Sequence, residues 1–94
     1  MTDQVSVHVV VHGRVQGVYF RAFVAQKAAE LGLKGYVRNL PGDSAVEVAA
    51  EGDRAKLEKL VGHLNIGPPR ANVEKVVTDW AEYSGKFSRF EVRY

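Results

Sequence analysis

The residues best suited to chemistry form one run, Gly13-Arg14-Val15-Gln16-Gly17-Val18-Tyr19-Phe20-Arg21, with a single amide further along, Asn39. The run falls where an alternating apolar pattern gives way to a helical one, so it joins a strand to a helix N-terminus. The first N–H groups of a helix have no carbonyl partner within it, and the positive end of the helix dipole favours an anion there. Gly17 lets the backbone turn so that successive amides face inward as a nest. Arg21 comes in the first helical turn, where its planar fork can reach two oxygens of one anion. The run lacks the Lys-Ser/Thr ending of a nucleotide phosphate loop, and the spacing of Gly13 and Gly17 is not a dinucleotide fingerprint. On the residues alone two readings stand: a structural strand-to-helix turn, the commoner use of such glycines, or a phosphate site.

The elements that would position these groups follow from periodicity. Val5, Val7, Val9 and Val11 alternate with Ser6, His8, Val10 and His12, the pattern of a half-buried strand. From Phe20 the stripe Phe20, Phe23, Val24, Ala28 and Leu31 predicts a helix, closed by Gly32 and Leu33. Residues 36–39 form a short second strand, Pro41-Gly42-Asp43-Ser44 a turn, and Val46, Val48 and Ala50 a third strand. Asp53 is the expected N-cap of a second helix, whose face carries Leu57, Leu60, Val61 and Leu64. Gly67-Pro68-Pro69 stops that helix; residues 73–80 give a fourth strand and residues 87–94 a short last strand at the sheet margin.

The order predicts an α+β fold, a ferredoxin-like βαββαβ sandwich with an antiparallel sheet, two helices on one face and a short C-terminal strand, all in a single domain over residues 1–94. A right-handed βαβ crossover brings the C-terminal ends of its two parallel strands to one edge, beside the helix N-terminus. Asn39 ends the second strand and so returns to the edge where the glycine-bearing loop lies. With the third strand between them, the gap is two strand spacings, roughly 10 Å, room for a phosphate and one water. Val37 and Asn39 share a face, so the amide caps an apolar row on the helix side. A strand-end asparagine is often only a turn residue; its place at this edge makes it a candidate.

Composition narrows the classes. The chain has 94 residues, 46% hydrophobic and 26% charged, which are globular proportions. No cysteine is present, which removes disulfide and thiolate chemistry. Without an apolar leader or a membrane-length apolar run, the expectation is a cytoplasmic protein with no membrane partner. The formal charge is +2 with basic and acidic residues interspersed, so no basic stripe calls for nucleic acid.

Other polar residues carry weaker signals. His8, His12 and His63 lack metal-ligand spacing and are expected to be structural or solvated, so no metal site is assigned. Asp43 and Glu47, on or beside the hairpin turn, are expected to be solvated. Arg14, Lys34 and Arg38 are either a positive field around the loop or ordinary surface charges. Tyr19, Phe20, Phe23 and Trp80 read as core or loop packing.

With those residues in place, the chain resembles an acylphosphatase, one of the small metal-free enzymes that cleave carboxyl-phosphate anhydrides. The loop run from Gly13 to Arg21 matches that family's long motif, and Gly35-Tyr36-Val37-Arg38-Asn39 its second. The resemblance continues through Gly67-Pro68-Pro69, Trp80 and the ending Phe90-Glu91-Val92-Arg93-Tyr94. It implies that Arg21 binds the phosphate together with the backbone amides of Gln16, Gly17, Val18, Tyr19 and Phe20. It further implies that Asn39 orients the attacking water, that no cofactor is needed, and that the partners are an acyl phosphate substrate and inorganic phosphate, the product and a competitive ligand. A monomer is the expected state. The turn over residues 40–45 departs from the commoner family form by one extra residue; Leu40 stands where some relatives carry a hydroxyl, and Ser44 is the only hydroxyl nearby.

Two other classes fit less well. A module that binds acyl or carbamoyl phosphates without turnover occurs inside larger maturation enzymes, whereas this chain has the length of one domain. A ferredoxin-like RNA binder stacks bases on aromatic residues of its central strands, and the third strand, Ala45-Val46-Glu47-Val48-Ala49-Ala50, has none.

Overall fold

In a computed structural model, which describes residues 3–42 and 44–94, the chain runs β1 (Gln4–Arg14), α1 (Phe20–Glu30), β2 (Lys34–Asn39), β3 (Ala45–Asp53), α2 (Arg54–Ile66), β4 (Asn72–Glu82) and β5 (Phe90–Arg93). The sheet order is β4-β1-β3-β2-β5. This is the expected ferredoxin-like sandwich, and β3 does lie between β1 and β2. The four strands of the βαββαβ sandwich pair antiparallel as expected, and the added C-terminal strand, for which no direction was expected, pairs parallel with β2 and makes the whole sheet mixed. A connection that spans the sheet from β4 at one edge to β5 at the other delivers β5 in that direction. Met1, Thr2 and the turn residue Asp43 lie outside the described residues.

Alternation decides which face is covered. Val7, Val9 and Val11 are buried, and the register sets Val9 opposite Val48 on β3, which is in turn opposite Val37 on β2. Both helices lie over this row. Phe20, Val24 and Ala28 of α1 and Leu57, Leu60 and Leu64 of α2 are at most 1% exposed. Truncating a leucine at such a site typically costs about 2–5 kcal/mol, so the α2 face is a principal anchor of the fold. Asp53 caps α2 as expected, its carboxylate accepting from Ala55 N–H at 2.9 Å. Gly32 ends α1, with Gly32 N–H donating to Ala29 O and Leu33 N–H to Ala28 O.

The aromatic expectations hold only in part. Phe20 is core and Phe23 packs against it, but Tyr19 is 82% exposed and Trp80 is 37% exposed. Trp80 shares the helix-side face with Val7, but β4 is an edge strand, so its cover is the Arg54 guanidinium, 4.6 Å from the ring centroid, instead of a second layer.

Candidate active site

Residues 15–19 climb from the end of β1 to the start of α1 through two left-handed steps, Gly17 at φ 72° and Tyr19 at φ 61°. A non-glycine residue in that region costs of order 1 kcal/mol or more and clusters at functional sites. Gly17 takes its conformation without strain, and a side chain there would meet open space. Tyr19 is the N-cap residue of α1, yet no side chain caps the helix and its first turn holds no acidic residue. Among the described residues, the N–H groups of 16–20 donate to no carbonyl or side chain. The loop thus presents a helix N-terminus with free donors.

This loop opens onto a cleft of about 570 Å³, within the usual range for a small-molecule site. Gly17, Tyr19, Phe20 and Arg21 line one wall, and Asn39 lies at the end of β2 beside them. The two side chains singled out from the sequence therefore meet at one cleft. Arg21 is held from the far edge of the sheet: its Nη1 donates to Arg93 O at 3.2 Å, and its guanidinium carbon lies 4.6 Å from the Tyr94 ring centroid. Asn39 is held differently. Its Oδ1 is buried and accepts no hydrogen bond from another described residue. A buried acceptor without a partner costs about 1–3 kcal/mol, so this atom stands out: among the described residues the other buried side-chain polar atoms are paired.

Gln16 has a part that its place in the motif does not reveal. Expected mainly as a backbone donor, it uses its side-chain amide to donate to Leu40 O at 3.0 Å and to Ala45 O at 2.9 Å. Gly13 N–H adds a bond to Ser44 O, and Leu40 N–H closes the turn onto Ala45 O. The turn that follows Asn39 is thereby tied to the loop that precedes Arg21, and Ser44 contributes its carbonyl to that tie.

The other basic candidates separate. Arg38 points to the open face of the sheet, where its Nε donates to Glu47. His8 Nε2 shares the same carboxylate at 2.7 Å. Glu47 is therefore not the solvated turn residue expected from the sequence: its side chain is only 13% exposed. Burial pushes its carboxyl up, but hydrogen bonds from His8, Arg38 and Tyr36 together outweigh this and leave it below the ordinary value. Glu51 behaves alike. Burial raises it, while bonds from the Ser84 hydroxyl and the Ser84 and Gly85 amides bring it down. His63 stacks edge-on against Phe23, and Arg14 and Lys34 are exposed and do not line the cleft. Arg70, which follows Gly67-Pro68-Pro69, does line it. Nothing in its linear surroundings marks it, since a lone arginine after a helix stop reads as a surface charge.

Among the described residues no helix is long and apolar enough to cross a membrane. Comparison with known proteins adds a family. The acylphosphatase family model matches residues 7–92. The chain is 46% identical to an acylphosphatase of Anaeromyxobacter dehalogenans over 94 residues, covering all of both chains. An acylphosphatase structure from Coxiella burnetii superposes with a TM-score of 0.89 at 41% identity, over 97% of this chain and 94% of that one. One from Bacillus subtilis gives 0.90 at 33% identity, over 96% and 99%.

Proposed function

Because the chain belongs to the acylphosphatase family, whose members hydrolyse acyl phosphates, we propose that Arg21 and the loop amides of Gln16, Gly17, Val18, Tyr19 and Phe20 hold the phosphoryl group while Asn39 places the attacking water. The observation that carries this reading is the buried Oδ1 of Asn39, without a partner among the described residues, in the cleft that Arg21 also lines. A carboxamide oxygen is too weak a base to ionise water, but it can accept one water hydrogen and so aim a lone pair at phosphorus.

The chemistry asks for little more. The water oxygen bonds to phosphorus as the bond from phosphorus to the acyl oxygen breaks. The carboxylate leaves with that electron pair and needs no proton, so no general acid is required. A water proton passes to a phosphoryl oxygen, and the products are a carboxylate and inorganic phosphate. Phosphoryl transfer through a loose transition state depends on positioning and on charge neutralisation, and fixed N–H donors with a guanidinium supply the second. The same contacts make inorganic phosphate a competitive ligand. Cysteine-free composition suits a reducing cytoplasm, and the charged open face of the sheet suits a monomer.

Release of phosphate from benzoyl phosphate in the presence of a chelator tests the reading. Fast turnover that phosphate inhibits competitively is the expected result. Arg21-dependent phosphate binding without turnover would instead make the chain a non-catalytic binding module.

A further inference from the structure

The cleft holds two guanidinium-bearing residues, Arg21 and Arg70, and among the described residues no aspartate or glutamate side chain lines it. They belong to opposite sides of the sheet. Arg21 is engaged by Arg93 and Tyr94 at the end of β5, whereas Arg70 stands on the turn leading into β4, the other edge strand. That turn is fixed in place. Ala71 N–H donates to Pro68 O at 3.0 Å, Pro68 is buried, and a β-carbon at Gly67 (φ 74°) would come within 2.9 Å of Phe20 Cε2. The close approach that Gly67 allows seats the turn on the first residue of α1 and so brings Arg70 to the phosphate loop. Unlike Arg38, which is paired with Glu47, Arg70 makes no ion pair with another described residue.

A phosphoryl group needs only a fraction of a cleft of about 570 Å³, since a water-sized group takes about 30 Å³ of liquid volume. The remainder must receive the acyl portion. Resting on the proposed role of Arg21, we infer that Arg70 is a specificity-determining residue that receives a second anionic group on the acyl portion, so that acyl phosphates bearing a distal carboxylate or phosphate are preferred over neutral ones. Arg70 does not touch the reacting atoms. It adds binding that is equal in ground and transition states, which raises kcat/KM through KM.

The test compares kcat/KM for 4-carboxybenzoyl phosphate and benzoyl phosphate in wild type, Arg70→Ala, Arg70→Glu and, as a control cation on the opposite face, Arg38→Ala. An exposed charge pair contributes up to about 1 kcal/mol, or roughly fivefold. Arg70→Ala should therefore lower the ratio of the two values about three- to fivefold, Arg70→Glu should lower it further, and Arg38→Ala should leave it in place. The shift should lie in KM and shrink as salt screens it. The same ratio in wild type, Arg70→Ala and Arg70→Glu would overturn the inference. Absence of turnover in wild type would be a failure of the hydrolytic reading instead. The ratio of dissociation constants for phosphonoacetate and methylphosphonate, measured by calorimetry on the same proteins, would then decide Arg70's role by the same criterion.

Discussion

Arg38 and Asn39 are consecutive residues of one strand, and the pleat sends them to opposite surroundings. On the open face, Arg38 and His8 converge on the Glu47 carboxylate, so that charge meets charge. On the helix side, Asn39 buries an oxygen with no partner among the described residues, in a cleft lined by the loop that joins β1 to α1. The first cluster contains more chemically versatile residue types: a histidine, a carboxylate and an arginine could be mistaken for a catalytic triad. Its groups are already satisfied by one another, which is what a scaffold requires. The second has only an amide, an arginine that donates to the Arg93 carbonyl but pairs with no carboxylate among the described residues, and N–H groups without a described acceptor. On the proposed reading, pairing state rather than residue type separates machinery from scaffold.

Substitutions can break or sharpen that contrast. Arg21→Ala should have the largest effect, lowering kcat/KM for benzoyl phosphate about a thousandfold or more by removing the cation proposed to hold the transferring phosphoryl group. Asn39→Ala should follow, with kcat down about a hundredfold. Gln16→Ala should come third. It strips the Leu40 carbonyl of its Gln16 donor and leaves Ala45 O with the Leu40 N–H alone, so thermal or urea unfolding should show a loss of about 1–3 kcal/mol, and kcat should fall about tenfold as the turn after Asn39 loosens. Glu47→Gln should be mildest for function: denaturation should report roughly 1 kcal/mol of lost stability, with kcat and KM at wild-type values. A large drop in kcat for Glu47→Gln would place catalysis on the open face and undo the contrast.

Acidity adds a smaller, graded test. Glu47 and Glu51 are both held below the ordinary carboxyl value of 4.5 in the folded protein. Groups depressed on folding stabilise the native state above the unfolded value and lose that contribution as pH falls through the folded one. Stability should therefore be level with respect to these two groups above pH 4.5 and decline below it. Glu51→Gln should flatten part of the decline in acid unfolding monitored by circular dichroism. A wild-type acid limb retained in Glu51→Gln would show that Glu51 is not among the groups responsible. Activity, by contrast, should vary little between about pH 5.5 and 8, since neither an amide nor a guanidinium changes charge there; a limb near pH 6.5 in the rate profile would implicate a histidine.

Much of this was legible in the chain. Val7, Val9 and Val11 and the leucines of α2 fix their elements because burial on one face leaves a clean period. The edge reached by Asn39 follows from crossover handedness alone. What escaped depends on contacts between segments distant in sequence. Trp80 reads as core until β4 proves to be an edge strand. Glu47 reads as solvated until His8, 39 positions away, bonds to it. The Gln16 side chain spans 24 residues to Leu40, and Arg70 reaches the cleft only because Gly67 seats its turn on Phe20. No local pattern encodes such meetings. The parallel pairing of β5 was hidden for the same reason, since a short terminal strand carries no signal for which edge it joins.

The most direct test sets the affinity for inorganic phosphate beside kcat in wild type, Arg21→Ala and Asn39→Ala. If Arg21 holds the phosphoryl group and Asn39 the water, Arg21→Ala should lose both phosphate binding and turnover. Asn39→Ala should bind phosphate within about threefold of wild type while kcat falls about a hundredfold. Parallel losses of affinity and rate in Asn39→Ala would contradict the water-placing role and make that residue a second phosphate ligand.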